Sequence, residues 1–146
     1  NQPLLDAGEA KIAPFICYEI AYPELVRHNS LNSDLLLTVS NDTWFSHSIA
    51  PTQHLQIARM RALETGRWLI RSTNNGISAL INPEGMISAT IPQYEQAVLV
   101  GDVHRMEGFT PYQQWGLLPL QILTGCMLLL GFFTAAPGGR RAHKGI

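Results

Sequence analysis

Hydrophobic positions along this chain switch between strand-like runs and helix-like spacing, and each switch marks an element. Ile12–Ile16 is a short apolar run that predicts a buried strand delivering Cys17 at its end. Polar Tyr18 and Glu19 follow, and Ile20–Arg27 reads as a turn and short helix with Pro23 near its first turn. After a loop of turn residues, Asn29–Asp34, the continuous apolar run Leu35–Val39 predicts a strand buried on both faces. It ends in the polar loop Ser40–Phe45. Pro51–Gly66 reads as a helix, with Leu55, Ala58, Ala62 and Leu63 near helical spacing, Thr52 as a candidate cap and Gly66 as terminator. Trp68–Ser72, Ile77–Ile81, Met86–Ile91 and Ala97–Val103 read as strands, with turns at Asn75–Gly76 and Asn82–Gly85. Asn1–Lys11 is polar and small and predicts only a turn before the Cys17 strand. Mixed segments of this kind favour a layered α/β domain over a helix bundle.

The final segment follows a different rule. Leu117–Ala136 carries no charged residue, and a helix of that length spans roughly 30 Å, the thickness of a bilayer core. It is therefore expected to be a transmembrane helix, with Tyr112 and Trp115 at the interface. Arg140, Arg141 and Lys144 would form a basic cytoplasmic tail, leaving the globular part on the opposite face. The competing reading is a buried C-terminal helix of a soluble protein. The expected division is a globular part, 1–113, and a helix with its tail, 114–146.

Composition changes the picture little. A chain of 146 residues can bury one modest core. Its formal net charge of -1, without a basic stripe, points to no nucleic-acid partner. Cys17 and Cys126 sit in unlike contexts, which argues against a disulfide framework, and neither has metal-ligand spacing. His47, His54 and His104 fit solvated or structural roles better than a metal site. Arg59, Arg61, Arg67 and Arg71 read as a solvated face or as scattered partners of carboxylates. The start at Asn1, without a signal peptide, reads as a piece of something longer.

The candidate chemistry gathers at Cys17. A cysteine on a strand-to-helix turn is held rigidly, and nearby backbone N–H groups can face a developing oxyanion. The alternative is a small buried hydrophobe, a common fate of free cysteine. The loop after Leu35–Val39 places Asn41 and Trp44 where binding groups collect on a rigid sheet, although Trp44 also suits a core-edge aromatic.

Ile16-Cys17-Tyr18-Glu19, followed by Tyr22-Pro23-Glu24-Leu25, resembles the nucleophile segment of the nitrilase superfamily. Leu37–Phe45, Gln56–Glu64, Arg71–Ala79 and the apolar terminal helix extend this to a resemblance with the bacterial apolipoprotein N-acyltransferase family. The resemblance implies the C-terminal half of an αββα sandwich followed by one transmembrane helix. It also implies a Glu–Lys–Cys triad of which only Cys17 is matched. Glu9 and Lys11 lie too close to the nucleophile strand to stand in, so the triad's glutamate and lysine are expected upstream of Asn1. The implied activity moves an acyl chain from a phospholipid, through a cysteine thioester, to the α-amino group of an apolipoprotein's diacylglyceryl-cysteine. Cys17 would attack, Tyr18 would support the oxyanion through its backbone N–H, and the Glu19 carboxylate would position the site. Asn41 and Trp44 would bind substrate; no cofactor or metal is implied. The implied partners are a phospholipid donor, an apolipoprotein acceptor and the membrane. The implied setting is the bacterial inner membrane, with the catalytic domain periplasmic and the C-terminus cytoplasmic. Two alternatives remain: a soluble nitrilase-type amidase, and a non-catalytic membrane-tethered module. On the acyltransferase reading this chain alone neither folds stably nor turns over substrate.

Overall fold

A computed structural model describes residues 2–45 and 47–135. Six strands form one mixed sheet in sequence order: β1 (Leu5–Ala7), β2 (Ala10–Ile16), β3 (Leu35–Ser40), β4 (Trp68–Thr73), β5 (Ser78–Ile81) and β6 (Ile87–Ile91). The three central strands, β2 to β4, run parallel, and the outer pairings are antiparallel. Parallel neighbours need crossovers, and here these are α1 (Pro23–Ser30) between β2 and β3 and α2 (Ala50–Thr65) between β3 and β4. Two right-handed crossovers that step across a sheet in the same direction place both helices on the same face.

The register makes that face explicit. Ala13, Leu36, Leu69 and Ile81 align across four strands, and Phe15, Thr38, Arg71 and Ala79 form the next row. All eight are buried, packed with Ile20, Val26, Leu55, Ala58 and Ala62 from the helical side. Burying each large apolar side chain contributes about 1.5–3 kcal/mol, so these rows anchor the domain. The opposite face carries Ile16 and Val39 in register, both substantially exposed. One mixed sheet with one helical layer makes an α/β fold, as expected.

Local chemistry explains most element ends. Gly66, at φ 59°, closes α2 in the left-handed conformation, and its N–H is donated to the carbonyls of Ala62 and Leu63. The start of α2 differs from expectation, because the helix begins at Ala50 and Thr52 lies inside it. A short helix, α3 (Pro111–Trp115), is capped by Thr110, whose Oγ1 accepts from the Gln113 N–H at 3.1 Å. The buried Gln113 amide donates to Ser30 Oγ at 2.9 Å, which fastens α3 to α1.

Three expectations need correction here. Leu5–Ala7, within a stretch expected to be only a turn, pairs with β2 as an edge strand. Ala97–Val103, expected as a strand, has no regular structure. Apolar content along it is not matched by a ladder partner, and without one a strand does not form.

The third concerns the terminal helix. The chain divides into two units, Asn1–Gly116 and Leu117–Ile146. The second contains α4 (Leu118–Ala135), rich in apolar residues, with Leu128, Phe132 and Phe133 exposed. Its 18 residues amount to about 27 Å of helix. Among the described residues no helix is long and apolar enough to cross a membrane. The expected transmembrane span over 117–136 is therefore not supported. Its physical limits are the break at Gly116, where φ is 55° and ψ is -134°, and the polar Gln121, Thr124 and Thr134 along the helix. Ala136 and the tail residues Arg140, Arg141 and Lys144 lie outside the described residues.

Candidate active site

The carboxyl ends of parallel strands are where α/β sheets gather their chemistry, since the crossover turns leave a crevice there. β2, β3 and β4 end at Ile16, Ser40 and Thr73. Cys17 follows β2 directly and opens a 3₁₀ turn, Cys17–Ala21. It adopts φ 54°, a left-handed conformation that side-chain-bearing residues seldom occupy. Such strain persists only where the surroundings hold it, and it collects at functional turns. The expected elbow is therefore real, and sharper than the sequence pattern required.

Cys17 lines an open cavity of about 570 Å³ together with Ile16, Ser40, Asn41, Trp44 and Thr73. Asn41 and Trp44, the two expected binding residues, thus share one rim with the thiol. Trp44 is 87 % exposed, which excludes a core-edge role for it within this chain. Asn74 donates to Asn41 Oδ1 and Thr43 Oγ1 at 3.4 Å each, tying the β4 end to the loop that carries Trp44.

Tyr18 and Glu19 are placed differently. The Tyr18 ring is exposed and meets Tyr22 edge-on at 5.8 Å, turned to a neighbour within its own turn. The Glu19 carboxylate accepts the Ile16 N–H at 2.7 Å, directly before the elbow. It braces the turn that holds Cys17.

A buried polar network lies behind the thiol, on the helix-covered side of the sheet. Ser40 Oγ is 3.6 Å from Cys17 Sγ and also hydrogen-bonds the Asp42 carboxylate. Arg71 donates to Asp42 Oδ2 at 2.7 Å, and both side chains are fully buried. His54 Nδ1 lies 3.2 Å from Asp42 Oδ1, and Nε2 lies 3.2 Å from the Cys17 carbonyl oxygen. Burial pushes the Asp42 carboxyl up, but hydrogen bonds from His54 and Ser40 and the Arg71 charge outweigh it. The net result holds Asp42 below its usual carboxylate range.

None of Ser40, Asp42, His54 and Arg71 was singled out as a site residue from sequence. The signal for His54 is its place beside Leu55 and four residues before Ala58, on the buried stripe of α2. For Arg71 it is alternation with Leu69, which points both side chains to one face. A solvated face is the wrong reading for Arg71 and also for Arg67, 4 % exposed, which donates to the carbonyls of Ser33 and Gly108.

Residues 2–108 match the carbon-nitrogen hydrolase family. The chain belongs to that family. Within it, the chain is 59 % identical over 90 % of its length to a Pseudomonas putida protein named apolipoprotein N-acyltransferase, and covers 26 % of that protein. A protein of the same name from Azotobacter vinelandii is 53 % identical over 99 % of the chain, which covers 28 % of it. The chain thus spans about a quarter of the length of these relatives. Among solved structures, Saccharomyces cerevisiae Nit3 of the nitrilase superfamily superposes with a TM-score of 0.55 at 20 % identity, over 66 % of this chain and 38 % of that one. A carbon-nitrogen hydrolase from Helicobacter pylori gives a TM-score of 0.53 at 19 % identity, over 60 % and 38 %. At such identities the likeness concerns the fold alone, and that fold is the nitrilase-like α/β sheet seen here.

Proposed function

We propose that this carbon-nitrogen hydrolase chain carries the nucleophile of an apolipoprotein N-acyltransferase. The observation that carries the reading is Cys17, held at φ 54° at the mouth of a cavity, in a chain so similar to relatives of that name. In the first step the Cys17 thiolate attacks the ester carbonyl carbon of a phospholipid. A C–S bond forms, the ester C–O bond breaks, and the lysophospholipid leaves with the proton given up by the thiol. In the second step the free α-amino group of the acceptor's diacylglyceryl-cysteine attacks the thioester. A C–N bond forms, the C–S bond breaks, and the amine's proton goes to the departing Cys17 thiolate, which restores the thiol. A thiolate suits both steps, being a good nucleophile and a good leaving group.

The Tyr18 backbone N–H is the proposed oxyanion donor, Glu19 the brace of the elbow, and Asn41 and Trp44 the substrate-contacting rim. The triad's glutamate and lysine belong, on this reading, to the three quarters of the relatives' length that this sequence does not span. The reading calls for no cofactor and no metal. Its setting is the bacterial inner membrane, with the catalytic domain on the periplasmic side. The exposed apolar side chains of α4, Leu128, Phe132 and Phe133 among them, support contact with lipid, where the donor resides.

The test is mass spectrometry of Cys17 in a full-length enzyme carrying this sequence, after incubation with phosphatidylethanolamine. The expected result is a gain of one acyl chain, absent in Cys17→Ala and discharged by a diacylglyceryl peptide. An unmodified thiol in the folded enzyme overturns the reading.

A further inference from the structure

The two-step transfer leaves His54 without a part, yet the structure spends both of its ring nitrogens beside the nucleophile. α2 carries the ring beneath the elbow, where it is 4 % exposed, and Phe45 meets it edge-on at 6.4 Å. Its two neighbours, the Asp42 carboxylate and the Cys17 carbonyl, are both acceptors. Asp42, held below the usual carboxylate range, has no proton to offer at neutral pH. The Cys17 carbonyl can only accept, so the 3.2 Å contact is a hydrogen bond when Nε2 is the donor. A bare Nε2 would set its lone pair against that carbonyl oxygen in a buried place, which is costly.

The carbonyl that His54 reaches is an unusual one. It belongs to the residue at φ 54°, and it fixes the plane of the Cys17–Tyr18 peptide. In a planar trans peptide the C=O and the following N–H point in opposite directions. A carbonyl pinned toward α2 therefore turns the Tyr18 N–H away from α2.

We propose that His54 is a positioning residue for the nucleophile: its Nε2–H pins the Cys17 carbonyl, and Asp42, clamped by Arg71, orients the ring. One interaction thereby holds the strained elbow and aims the Tyr18 N–H. The inference deepens the acyltransfer reading at the same site, and only its acyl-loading arm depends on that reading.

The experiment compares wild type, His54→Phe and His54→Gln in a full-length enzyme carrying this sequence. One arm measures the rate of Cys17 alkylation by iodoacetamide, which needs no acyl donor. The other measures acyl loading from phosphatidylethanolamine. His54→Phe is expected to slow both on the order of tenfold, the rate equivalent of one lost buried hydrogen bond, with KM for the lipid unchanged. His54→Gln, which keeps an N–H for the Cys17 carbonyl, should recover most of the rate. A folded His54→Phe enzyme with wild-type rates in both arms overturns the proposal. Should that variant fail to fold, nitrogen-resolved NMR of the wild-type ring decides: a proton on Nε2 supports the proposal and a bare Nε2 overturns it. Alkylation that depends on His54 in an enzyme that never takes an acyl chain would sink the acyltransferase reading and uphold the positioning role.

Discussion

Gly76 sits against Asp42 so closely that a Cβ added to it would lie 2.8 Å from Asp42 Cγ and 2.9 Å from its Cβ. The glycine is required by the approach of a side chain rather than by a left-handed turn. Asp42 is held between Arg71, His54 and Ser40, so it has little room to retreat. Gly76→Ala is expected to destabilise by about 1–3 kcal/mol, the usual cost of overpacking. Urea unfolding of a full-length enzyme carrying this sequence measures it, as it does the stabilities below, and a variant as stable as wild type would mean that Asp42 moves freely.

The Arg71–Asp42 pair should behave as a buried ion pair. Removing one partner leaves an uncompensated charge, so Arg71→Met should cost about 3–5 kcal/mol. The double variant Arg71→Met/Asp42→Asn should recover part of that loss, since neither charge then remains unpaired. A double variant no better than Arg71→Met in urea unfolding would show that packing, and not the charge, sets the cost.

Asp42 also gives a signed pH dependence. Its folded-state pKa lies below its unfolded value of about 3.9. Its stabilisation is therefore complete above the unfolded value and is lost as pH falls from there through the depressed folded one. Acid unfolding curves of wild type and Asp42→Asn should diverge above that window and converge below it. Parallel curves across the acid range would remove Asp42 as a source of acid sensitivity.

The strain at Cys17 predicts a conflict between stability and chemistry. Glycine tolerates positive φ and alanine does not, so Cys17→Gly should exceed Cys17→Ala in stability by about 1 kcal/mol. Neither should take up an acyl chain. Equal melting temperatures would mean that the elbow is not strained.

How much of this was legible in the sequence depended on whether the signal was local. Strands β2 and β3 announced themselves as apolar runs ending in polar residues, and the Cys17 elbow followed from the first of them. The rim residues Asn41 and Trp44 were legible because a loop at a strand end falls near its neighbours' ends. For Arg71 a solvated face and a carboxylate partner both stood open, and for His54 a solvated or a structural role; neither could be placed at the site until the partner was known. That partner, Asp42, lies 29 residues from Arg71 and 12 from His54. β1 was missed because three exposed residues carry no alternation and exist as a strand through pairing with β2. The terminal helix was legible as a helix, but its reading as a membrane span is not supported: a charge-free run reports apolar content without the polar Gln121, Thr124 and Thr134 being weighed against it.

Glu19 separates a bracing role from a chemical one. Its Oε2 accepts the Ile16 N–H at 2.7 Å, a contact that needs an oxygen acceptor and gains from a negative charge. Glu19→Gln keeps an oxygen in reach, whereas Glu19→Ala leaves that N–H without its partner. If bracing is the role, Glu19→Ala should cost about 1 kcal/mol of stability, by analogy with a lost helix cap. It should also slow acyl loading of Cys17, because the residue before the elbow is then free to shift. Glu19→Gln should retain most of both properties. A Glu19→Gln enzyme with wild-type stability and no acyl loading would assign the carboxylate charge to the reaction itself.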